Sequence, residues 1–454
     1  MWLAQPLLRR KLRRRSQQEP GYGQAVEERF GQYTQAVPLH PGPTVWIHAV
    51  SLGETRAAAV LLTALRSSQP GMRLLLTHGT ATGKAEGLKL LQPGDLHAWQ
   101  PWDTPGAVAR FLAHFKPDLG VLMETEVWPN LVAGCQMAGI KLALVNARLS
   151  DKSLRQSQRL AWLARPAFAA LTSVWAQTAQ DAKRLQQLGA PVSGVSGNLK
   201  FDAAPDTTQL AMGRAWRARV AKPVLMFASS REGEELQLLE KLKESRPLAQ
   251  ADRTLDGTNS IANEVQWLIV PRHPQRFDAV AQLIESHGFS VQRRSAWPGT
   301  GPALLPEAGT PATGIDAALA SSATRKQVIW LGDSLGEMAM YFGLADVALL
   351  GGSFEPLGGQ NLIEAAACGC PVVMGSHTFN FAEAAEQALA AGAALRVADM
   401  AEAVAVASRL AADPNGLRLA KFSAGDFALA HRGAAKQLAQ ALGQLLADSA
   451  RSNS

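Results

Sequence analysis

The stretch Val45–Leu65, VWIHAVSLGETRAAAVLLTAL, holds the pattern that decides the fold. Its first part, Val45–Val50, is a short apolar run of the kind that forms a buried β-strand. Gly53 follows, and Glu54–Leu65 then carries alanine and leucine at the spacing of an amphipathic helix. A buried strand followed directly by a helix is the repeating unit of parallel α/β sheets.

The same unit recurs along the chain. Further strands are predicted in its first half at Arg73–Thr77, Leu119–Glu124, Lys141–Val145, Val174–Gln177 and Val192–Val195. A second series is predicted at Val224–Ala228, Trp267–Val270, Phe289–Gln292, Val328–Leu331, Val347–Leu350 and Pro371–Met374. Helical segments lie between most of these runs, so the sequence predicts an α/β protein with doubly wound parallel sheets. Two series joined near 201–219 predict two Rossmann-like domains facing a central cleft.

The chain divides into four predicted segments. They are an apolar stub with a basic segment at 1–18, a first domain at 19–210, a second domain at 211–425, and a C-terminal helix and tail at 426–454. Within the second domain, 245–264 and 295–326 are polar or rich in glycine, proline and alanine, without a clear period. We expect both to be inserted surface loops.

The charge of the chain is concentrated at one place. The 454 residues carry a formal net charge of +7, and six cations lie within Arg9–Arg15. The rest of the chain is therefore close to neutral, which disfavours a nucleic-acid-binding core and predicts no nucleic-acid partner.

The N-terminal segment permits two interpretations. Met1–Leu8 is apolar but shorter than the ~20 residues that cross a bilayer, and its cations follow the apolar stretch, unlike those of a secretory signal. The segment is either a solvated tail or a contact with anionic lipid, to which each cation adds about 1 kcal/mol.

Metal and disulfide patterns are missing from the sequence. Cys135, Cys368 and Cys370 are an odd number in a long chain and imply no disulfide framework. Neither an Asp-x-Asp device nor a His-x-x-x-His pair occurs. We expect a protein that uses no metal and no cofactor.

Polar residues follow several predicted strands of the first domain, at the edge where doubly wound sheets bind ligands. The candidates there are Ser51, Gly53, Glu54, Arg56, Thr80, Glu124, Glu126 and Arg148. Glu54 starts a helix, so its carboxylate either interacts with the helix dipole, worth about 0.3–1 kcal/mol, or acts as a general base on an acceptor hydroxyl. Arg56 is placed to bind an acceptor phosphate.

Two loops of the second predicted domain favour a nucleotide. Arg272 and His273 follow a strand and form either a surface turn or a phosphate site, because guanidinium makes paired contacts with phosphate. A glycine-rich loop follows later, and its backbone N–H groups can approach a ligand closely. Its candidate residues are Gly352, Ser353, Gly359, Asn361 and Glu364.

These blocks together resemble the Kdo transferases, which add 3-deoxy-D-manno-octulosonic acid (Kdo) to a lipid A precursor. The first-half blocks are HAVSLGE (48–54), THGTATG (77–83), PDLGVLMETEVWPN (117–130), VNARLS (145–150) and GNLKFD (197–202). The second-half blocks are IVPRHPQRF (269–277), GGSFEPLGGQNLIE (351–364) and GSHTFNF (375–381). They occur in the order of the family.

The resemblance implies a GT-B glycosyltransferase fold. Residues 19–210 would take the lipid IVA acceptor, and 211–425 the CMP-Kdo donor. It implies metal-independent transfer with inversion, Glu54 as the base, and a place in lipopolysaccharide biosynthesis on the cytoplasmic face of the Gram-negative inner membrane.

The resemblance also suggests residue roles. The donor would contact Arg272, His273, Gly352, Ser353, Gly359, Asn361 and Glu364, and the acceptor Ser51, Gly53, Arg56, Thr80, Glu124, Glu126, Arg148 and Lys200. Arg56, Arg148 and Lys200 are assigned by location and charge. The chain departs from the family at Gln360, where histidine is expected, at Ser230–Arg231, where Thr-His is expected, and in its short apolar stub.

Two other functions remain open on the sequence. One is a GT-B enzyme that uses a different nucleotide sugar in lipid A synthesis. The other is a non-catalytic relative that binds a nucleotide or a lipid. The ETEVWPN and NARLS blocks oppose the first, and the presence of Glu54 and Arg272 opposes the second.

Overall fold

The computed structural model describes residues 5–244, 265–302 and 326–452. The chain folds into two compact units. The first contains residues up to Ala203 together with those from His431 onward, and the second is Ala204–Ala430. The predicted insertion 245–264 lies outside the described residues, as does most of 295–326.

The first unit is built on a parallel sheet of seven strands in the order β3-β2-β1-β4-β5-β6-β7. The strands are β1 Thr44–His48, β2 Arg73–His78, β3 Leu96–Trp99, β4 Leu119–Met123, β5 Lys141–Ala147, β6 Ser173–Ala176 and β7 Val192–Val195. The helices are α1 Gln5–Gln18, α2 Leu52–Ser68, α3 Ala81–Leu88, α4 Pro105–Phe115, α5 Pro129–Met137, α6 Asp151–Arg159, α7 Ala161–Ala169 and α8 Ala179–Gln187. Short 3-10 turns lie at Pro20–Gly23, Val26–Phe30 and Leu199–Asp202.

The second unit repeats this architecture, with seven parallel strands in the order β10-β11-β9-β8-β12-β13-β14. The strands are β8 Val224–Ser230, β9 Gln266–Pro271, β10 Ser290–Arg293, β11 Val328–Leu331, β12 Val347–Leu350, β13 Val372–Met374 and β14 Ala394–Arg396. The helices are α9 Thr207–Arg217, α10 Glu234–Glu244, α11 Phe277–Ser286, α12 Met338–Leu344, α13 Leu362–Ala367, α14 Ala382–Ala390, α15 Met400–Ala412 and α16 Pro414–Ala430. The final helix, α17 Ala434–Ser452, belongs to the first unit.

The predicted strands are all present, and two further strands were not predicted. β3 has only four residues and includes the polar His97, so its apolar run is too short to stand out. β14 has three residues, Ala394–Arg396, within a stretch that reads as alanine-rich helix. Both pair in parallel with a predicted neighbour, β2 and β13 respectively.

The unit boundaries differ from the segments expected from sequence. Position 210 falls inside α9, which packs so closely on α12 that a Cβ on Gly213 would lie 2.0 Å from the Met340 carbonyl oxygen. Position 426 falls inside α16, and α17 then packs its Leu438 and Leu442 into the core of the first unit. Asp202 fixes that return by accepting hydrogen bonds from two N–H groups at the start of α17.

The start of the second predicted insertion is not a surface loop. Arg294–Ala296 form a 3-10 turn, and Trp297 is only 7% exposed. Its ring centroid lies 5.6 Å from that of Trp330 and 5.9 Å from that of Trp216. Because the residues around Trp297 are mostly polar, the sequence pattern does not indicate that this side chain is buried.

The basic helix α1 is docked on the first unit by three of its side chains. Leu12 is buried, and Arg15 lies over the Tyr22 ring at 4.4 Å. Arg9 forms an ion pair with Glu27. Within 5–244, 265–302 and 326–452, no helix is both long and apolar enough to span a membrane.

Candidate active site

The loop from β1 to α2 holds Glu54 in a reciprocal capping arrangement. The Ser51 hydroxyl accepts a hydrogen bond from the Glu54 N–H at 3.3 Å and donates to the Glu54 carboxylate at 2.9 Å. The other carboxylate oxygen accepts the Val50 N–H at 2.9 Å. This capping box fixes the carboxylate in one orientation. Each oxygen keeps a further lone pair, so capping and base chemistry are compatible.

Gly53 lies in the first turn of α2. Among the described residues, and apart from its chain neighbours, the one atom within 4 Å of the place that its Cβ would occupy is the Ser51 Oγ, at 3.9 Å. The glycine therefore keeps the surface beside Glu54 open.

The next loop is fastened to the first through one carbonyl group. The Val50 oxygen accepts hydrogen bonds from the Gly79 N–H at 3.3 Å, the Thr80 N–H at 3.0 Å and the Thr80 hydroxyl at 2.8 Å. The Thr80 hydroxyl also accepts the Gly83 N–H and caps α3. Thr80 thus holds the two loops together, and its hydroxyl is engaged within the protein.

The ends of β4 and β5 use an unusual backbone conformation. Glu124 and Asn146 have φ angles of +56° and +51°, which non-glycine residues seldom adopt and which occur preferentially at functional sites. The Glu124 carboxylate, 7% exposed as a residue, forms an ion pair with the Arg148 Nε at 2.9 Å. The Arg148 side chain is otherwise well exposed.

Glu54, Glu124 and Glu126 form a carboxylate cluster. Burial, followed by the charges of Glu54 and Glu124, raises the pKa of Glu126 to about 7, and a hydrogen bond from the Trp128 indole at 2.8 Å opposes this rise. Burial also raises the pKa of Glu54, against the hydrogen bonds from Val50 and Ser51. Mutually perturbed carboxylates at the ligand-binding edge of a sheet are a typical signature of a functional site.

The structure separates the three cations assigned to the acceptor. Arg148 contacts the carboxylate cluster through Glu124. Arg56 is exposed and pairs with Glu86 at 3.3 Å instead. Lys200 is half-buried in the turn Leu199–Asp202, where its N–H donates to the Asn198 side chain.

In the second unit, arginines gather around His273. Burial, and then the charges of Arg231, Arg272 and Arg276, lower the pKa of His273. Arg276 is held by a bidentate pair with the fully buried Glu235, at 2.7 and 3.0 Å. This positive cluster suits a phosphate group. Arg231 was not among the predicted site residues.

The glycine-rich loop is organised by a buried residue that the sequence analysis missed. The Glu234 carboxylate is fully buried and accepts the N–H groups of Gly352 at 2.8 Å, Phe354 at 3.2 Å and Arg231 at 2.9 Å. The sequence feature that could have indicated this residue is the pair of adjacent acids, Glu234 and Glu235, with which α10 begins after β8. Two of the partners of Glu234, Gly352 and Phe354, lie more than a hundred residues away in sequence, and so these contacts could not be derived from spacing.

Two of the predicted donor residues use polar groups within the protein. The Gly352 N–H is taken by Glu234. The Ser353 side chain is fully buried, donates to the Leu350 carbonyl at 2.5 Å and accepts the Gly375 N–H at 2.9 Å. Both groups shape the loop from inside.

Three further predicted donor residues lie in the second half of this loop and in the helix that follows it. Gly359 has a φ of +73°, and its N–H donates to the Gly352 carbonyl at 2.7 Å. The Asn361 side chain caps α13 by accepting the Ile363 N–H at 3.1 Å. Glu364 is half-buried in the first turn of α13. The loop folds back on itself and brings these residues together.

Across the described ranges, with their gaps after 244 and 302, no group of three or more His, Cys, Asp or Glu side chains is placed to hold a metal ion.

The sequence is similar to proteins of one family. Residues 24–203 match the family described as 3-deoxy-D-manno-octulosonic-acid transferase (kdotransferase). The 3-deoxy-D-manno-octulosonic acid transferase of Bordetella pertussis is 44% identical over 419 residues, which cover 91% of this chain and 90% of that protein. That of Haemophilus influenzae is 31% identical over 387 residues, which cover 84% and 82% respectively.

Solved structures share the fold at low sequence identity. UDP-GlcNAc 2-epimerase from Neisseria meningitidis, bound to UDP-GlcNAc, is 14% identical with a TM-score of 0.53 and covers 89% of this chain and 100% of that one. Anabaena HepE, in complex with UDP and glucose, is 14% identical with a TM-score of 0.51 and covers 88% and 100%. These likenesses concern the fold alone, and they confirm the predicted α/β, GT-B class.

Replacing Glu126 by glutamine is expected to stabilise the protein at high pH. Since the folded-state pKa is raised to about 7, the folded protein retains a proton that the unfolded chain has lost, and stability falls as pH rises from ~4.5 through 7. Relative to wild type, Glu126→Gln should gain about 1–3 kcal/mol in free energy of unfolding between pH 4.5 and pH 8, measured by urea denaturation.

Glu86→Gln is the matched control for this pH dependence. Hydrogen bonds from Lys89 and Arg56 lower the pKa of Glu86. Its substitution should therefore give no gain in stability as pH rises. A pH-independent effect of Glu126→Gln would contradict the raised pKa.

Removing the Glu234 carboxylate is expected to loosen the glycine-rich loop. Glu234→Ala leaves the N–H groups of Gly352 and Phe354 without their acceptor. One unsatisfied buried donor costs ~1–3 kcal/mol, so amide exchange over 351–354 should become about 10–100-fold faster by hydrogen-exchange mass spectrometry. Exposed Glu232→Ala is the control. Unchanged protection in Glu234→Ala would show that this carboxylate does not hold the loop.

Proposed function

The chain belongs to the 3-deoxy-D-manno-octulosonic acid transferase family, as its motifs indicated, and we propose that it transfers Kdo from CMP-Kdo to lipid IVA with inversion. The identity of 44% over most of the Bordetella pertussis protein carries the family assignment. The oriented Glu54 carboxylate in the cluster with Glu124 and Glu126 carries the proposed mechanism.

In this mechanism Glu54 is the general base. It takes the proton from a hydroxyl of lipid IVA as that oxygen bonds to C2 of Kdo. The C2–O bond to CMP breaks at the same time, and CMP leaves with the electron pair on its phosphate. A base with a pKa closer to neutral accepts a proton more readily, and burial raises the pKa of Glu54 in that direction.

Glu126 is the obvious rival for the base, because a carboxyl with a pKa of about 7 also suits a base at neutral pH. The hydrogen bonds of the two carboxylates favour Glu54. Glu54 is held in one orientation by the Val50 N–H and the Ser51 hydroxyl, whereas Glu126 accepts a hydrogen bond from the indole of the exposed Trp128. We assign Glu124, whose charge raises the pKa of Glu54, and the neighbouring Glu126 to the surroundings of the base.

The arginine cluster of the second unit suits the departing CMP. Arg272 is exposed beside His273, and Arg231 and Arg276 add their charges there. Fixed positive groups stabilise the charge that develops on the phosphate as the bond breaks. Asn361, Glu364 and Gly359 are proposed to hold the nucleotide from the same loop system.

The structure supports the three proposed acceptor cations to different degrees. Arg148 has the strongest claim to an acceptor phosphate or donor carboxylate, because it is exposed and already held beside the carboxylate cluster. Arg56 would have to leave Glu86 to reach a ligand. Lys200 stays a proposal based on its charge and its place in the turn after β7.

The direct test incubates the protein with lipid IVA and freshly prepared CMP-Kdo, with EDTA added after the donor has been formed and before the protein. Mass spectrometry of the acceptor should show gains of whole Kdo units. No gain would overturn the proposed reaction and leave a non-catalytic relative as the better interpretation. Activity lost to EDTA and restored by a divalent cation would overturn metal independence.

Glu54→Gln is expected to lower kcat by about 10²–10⁴ and to leave the fold intact. General-base catalysis contributes an effect of this size. Glutamine at the third helical position still completes a capping box, so α2 should keep its start. The same assay measures the rate, and circular dichroism checks the fold.

Two variants sharpen that comparison. Glu240→Gln lies on an exposed part of the second unit and should leave kcat unchanged. Glu126→Gln should retain more activity than Glu54→Gln, because it does not remove the base. Near-full turnover in Glu54→Gln, with the activity lost in Glu126→Gln, would reassign the base to Glu126.

Helix α1 is proposed to hold the enzyme at the anionic cytoplasmic face of the inner membrane, where a lipid acceptor resides. Two of its six cations are used within the protein, Arg9 on Glu27 and Arg15 on Tyr22. The other four, Arg10, Lys11, Arg13 and Arg14, are exposed. These four are available to interact with lipid head groups.

Substituting those four cations by glutamine should weaken binding to vesicles that contain phosphatidylglycerol by about 10²–10³-fold, since each contributes ~1 kcal/mol. The substitution spares Leu12 and Arg9, which deletion of residues 1–15 would remove. Vesicle flotation at low and high salt measures the effect, and neutral vesicles are the control. Equal binding of the variant and wild type would make α1 a solvated tail.

A further inference from the structure

An apolar groove lies between α4 and α5 on the surface of the first unit. Its volume is about 460 Å³, within the range of ~300–1,000 Å³ that is usual for ligand pockets. Nine of its ten lining residues are apolar and none is charged. Alanines 109, 113 and 133 line its sides, and Met137, 85% exposed, lies on α5 near its end.

Close helix packing forms the groove. Gly134 approaches Val108 so tightly that a Cβ would lie 2.7 Å from the Val108 Cγ1. The alanines on either side have short side chains and leave a channel above this contact. The one polar lining residue, Asn130, donates its amide N–H to the Asp103 carbonyl at 2.9 Å. The channel is therefore suited to a ligand that makes no hydrogen bonds along its length.

The groove starts at the edge of the sheet that carries the carboxylate cluster. In a parallel sheet every strand-to-helix loop lies at the carboxyl edge, so α4 and α5 begin at the edge that carries Glu54 and Glu124. The loop after β4 carries Glu124, Glu126 and the 46%-exposed Trp128, and it leads directly into Pro129 at the start of α5. From there the groove follows α5, nine residues or about 13 Å, away from the cluster.

A second groove on the first unit provides a contrast. It lies along α2 and the residues after α3, and Arg66, Lys89, Thr63 and Gln92 are among its lining residues. Its charged and polar lining suits a hydrated ligand. The α4–α5 groove has an apolar lining and starts at the sheet edge that carries the carboxylate cluster, so it suits the hydrocarbon part of a molecule whose polar part lies on that cluster.

We propose that the α4–α5 groove binds one acyl chain of the acceptor lipid. This inference rests on the proposed function for the presence of an acylated acceptor. The chain leaves the sugar head group at the carboxylate cluster, passes Trp128 and lies along α5. Burial of its methylenes in the groove holds the acceptor hydroxyl close to Glu54 and adds affinity for acylated over deacylated acceptors.

The first test is photolabelling with a lipid IVA analogue that carries a diazirine on one acyl chain. Label should map to residues 105–113 and 129–138. It should be lost in Ala133→Arg, which places a charge in the groove from an exposed position, and kept in Gln136→Arg, an exposed position of the same helix outside the lining. Label elsewhere, or label unchanged by Ala133→Arg, would overturn the proposal.

Kinetics provide the second test. Losing the burial of about two methylenes lowers affinity about tenfold. Ala133→Arg should raise KM for lipid IVA about tenfold and leave KM for fully deacylated lipid IVA, and kcat for both, unchanged. Gln136→Arg should match wild type with both acceptors. An equal rise in KM for both acceptors would mean that Ala133→Arg disturbs the head-group site, and the proposal would fail.

The two proposals fail in distinguishable ways. Groove labelling without any Kdo transfer would keep the lipid site and remove the reaction. Kdo transfer without groove labelling would keep the reaction and remove the site. If Ala133→Arg converts a dimer to a monomer in sedimentation and leaves the label map unchanged, the groove is an interface between copies of this chain.

Discussion

The parallel register of β1 with its two neighbours is the constraint from which the first unit's site follows. His48 pairs with Thr77 of β2 on one side and with Leu122 of β4 on the other, so the three strands end at one level. Their loops must therefore meet, which brings Glu54, Thr80 and Glu124 to a single edge although up to 70 residues separate them in sequence. The Val50 carbonyl then fastens two of the loops through three hydrogen bonds. No single loop would build this site alone.

The two units place a glutamate at equivalent positions and use it differently. β1 lies between β2 and β4, and β8 lies between β9 and β12, so α2 and α10 occupy the same place in the two sheets. Each helix carries a glutamate in its first turn, and burial raises the pKa of both. Glu234 is fully buried, and its carboxylate oxygens accept hydrogen bonds from loop N–H groups. Glu54 remains partly exposed beside two other carboxylates. Access to solvent distinguishes a loop-holding carboxylate from one available for proton transfer.

Sequence reasoning succeeded where one local pattern determined the answer. Buried strands such as Thr44–His48 contain a short apolar run, here Val45–Ile47, and their ends mark the edge at which Glu54 and Glu124 were expected. It failed for β3 and β14, which are too short to show a period, and for contacts between distant segments. Glu234 with Gly352, Arg56 with Glu86 and Arg15 over Tyr22 all depend on which surfaces the fold brings together. Residue spacing does not predict such contacts, because they form only when tertiary packing brings the two segments together.

The return of α17 to the first unit has a consequence for biosynthesis. Because Leu438 and Leu442 complete the core that contains Val45 and Leu61, the ribosome must finish nearly the whole chain before that core can close. The second unit, Ala204–Ala430, is continuous in sequence and can fold as soon as it emerges. The first unit is thus synthesised first and completed last. The apolar surface that α17 covers stays exposed while more than two hundred residues of the second unit are synthesised.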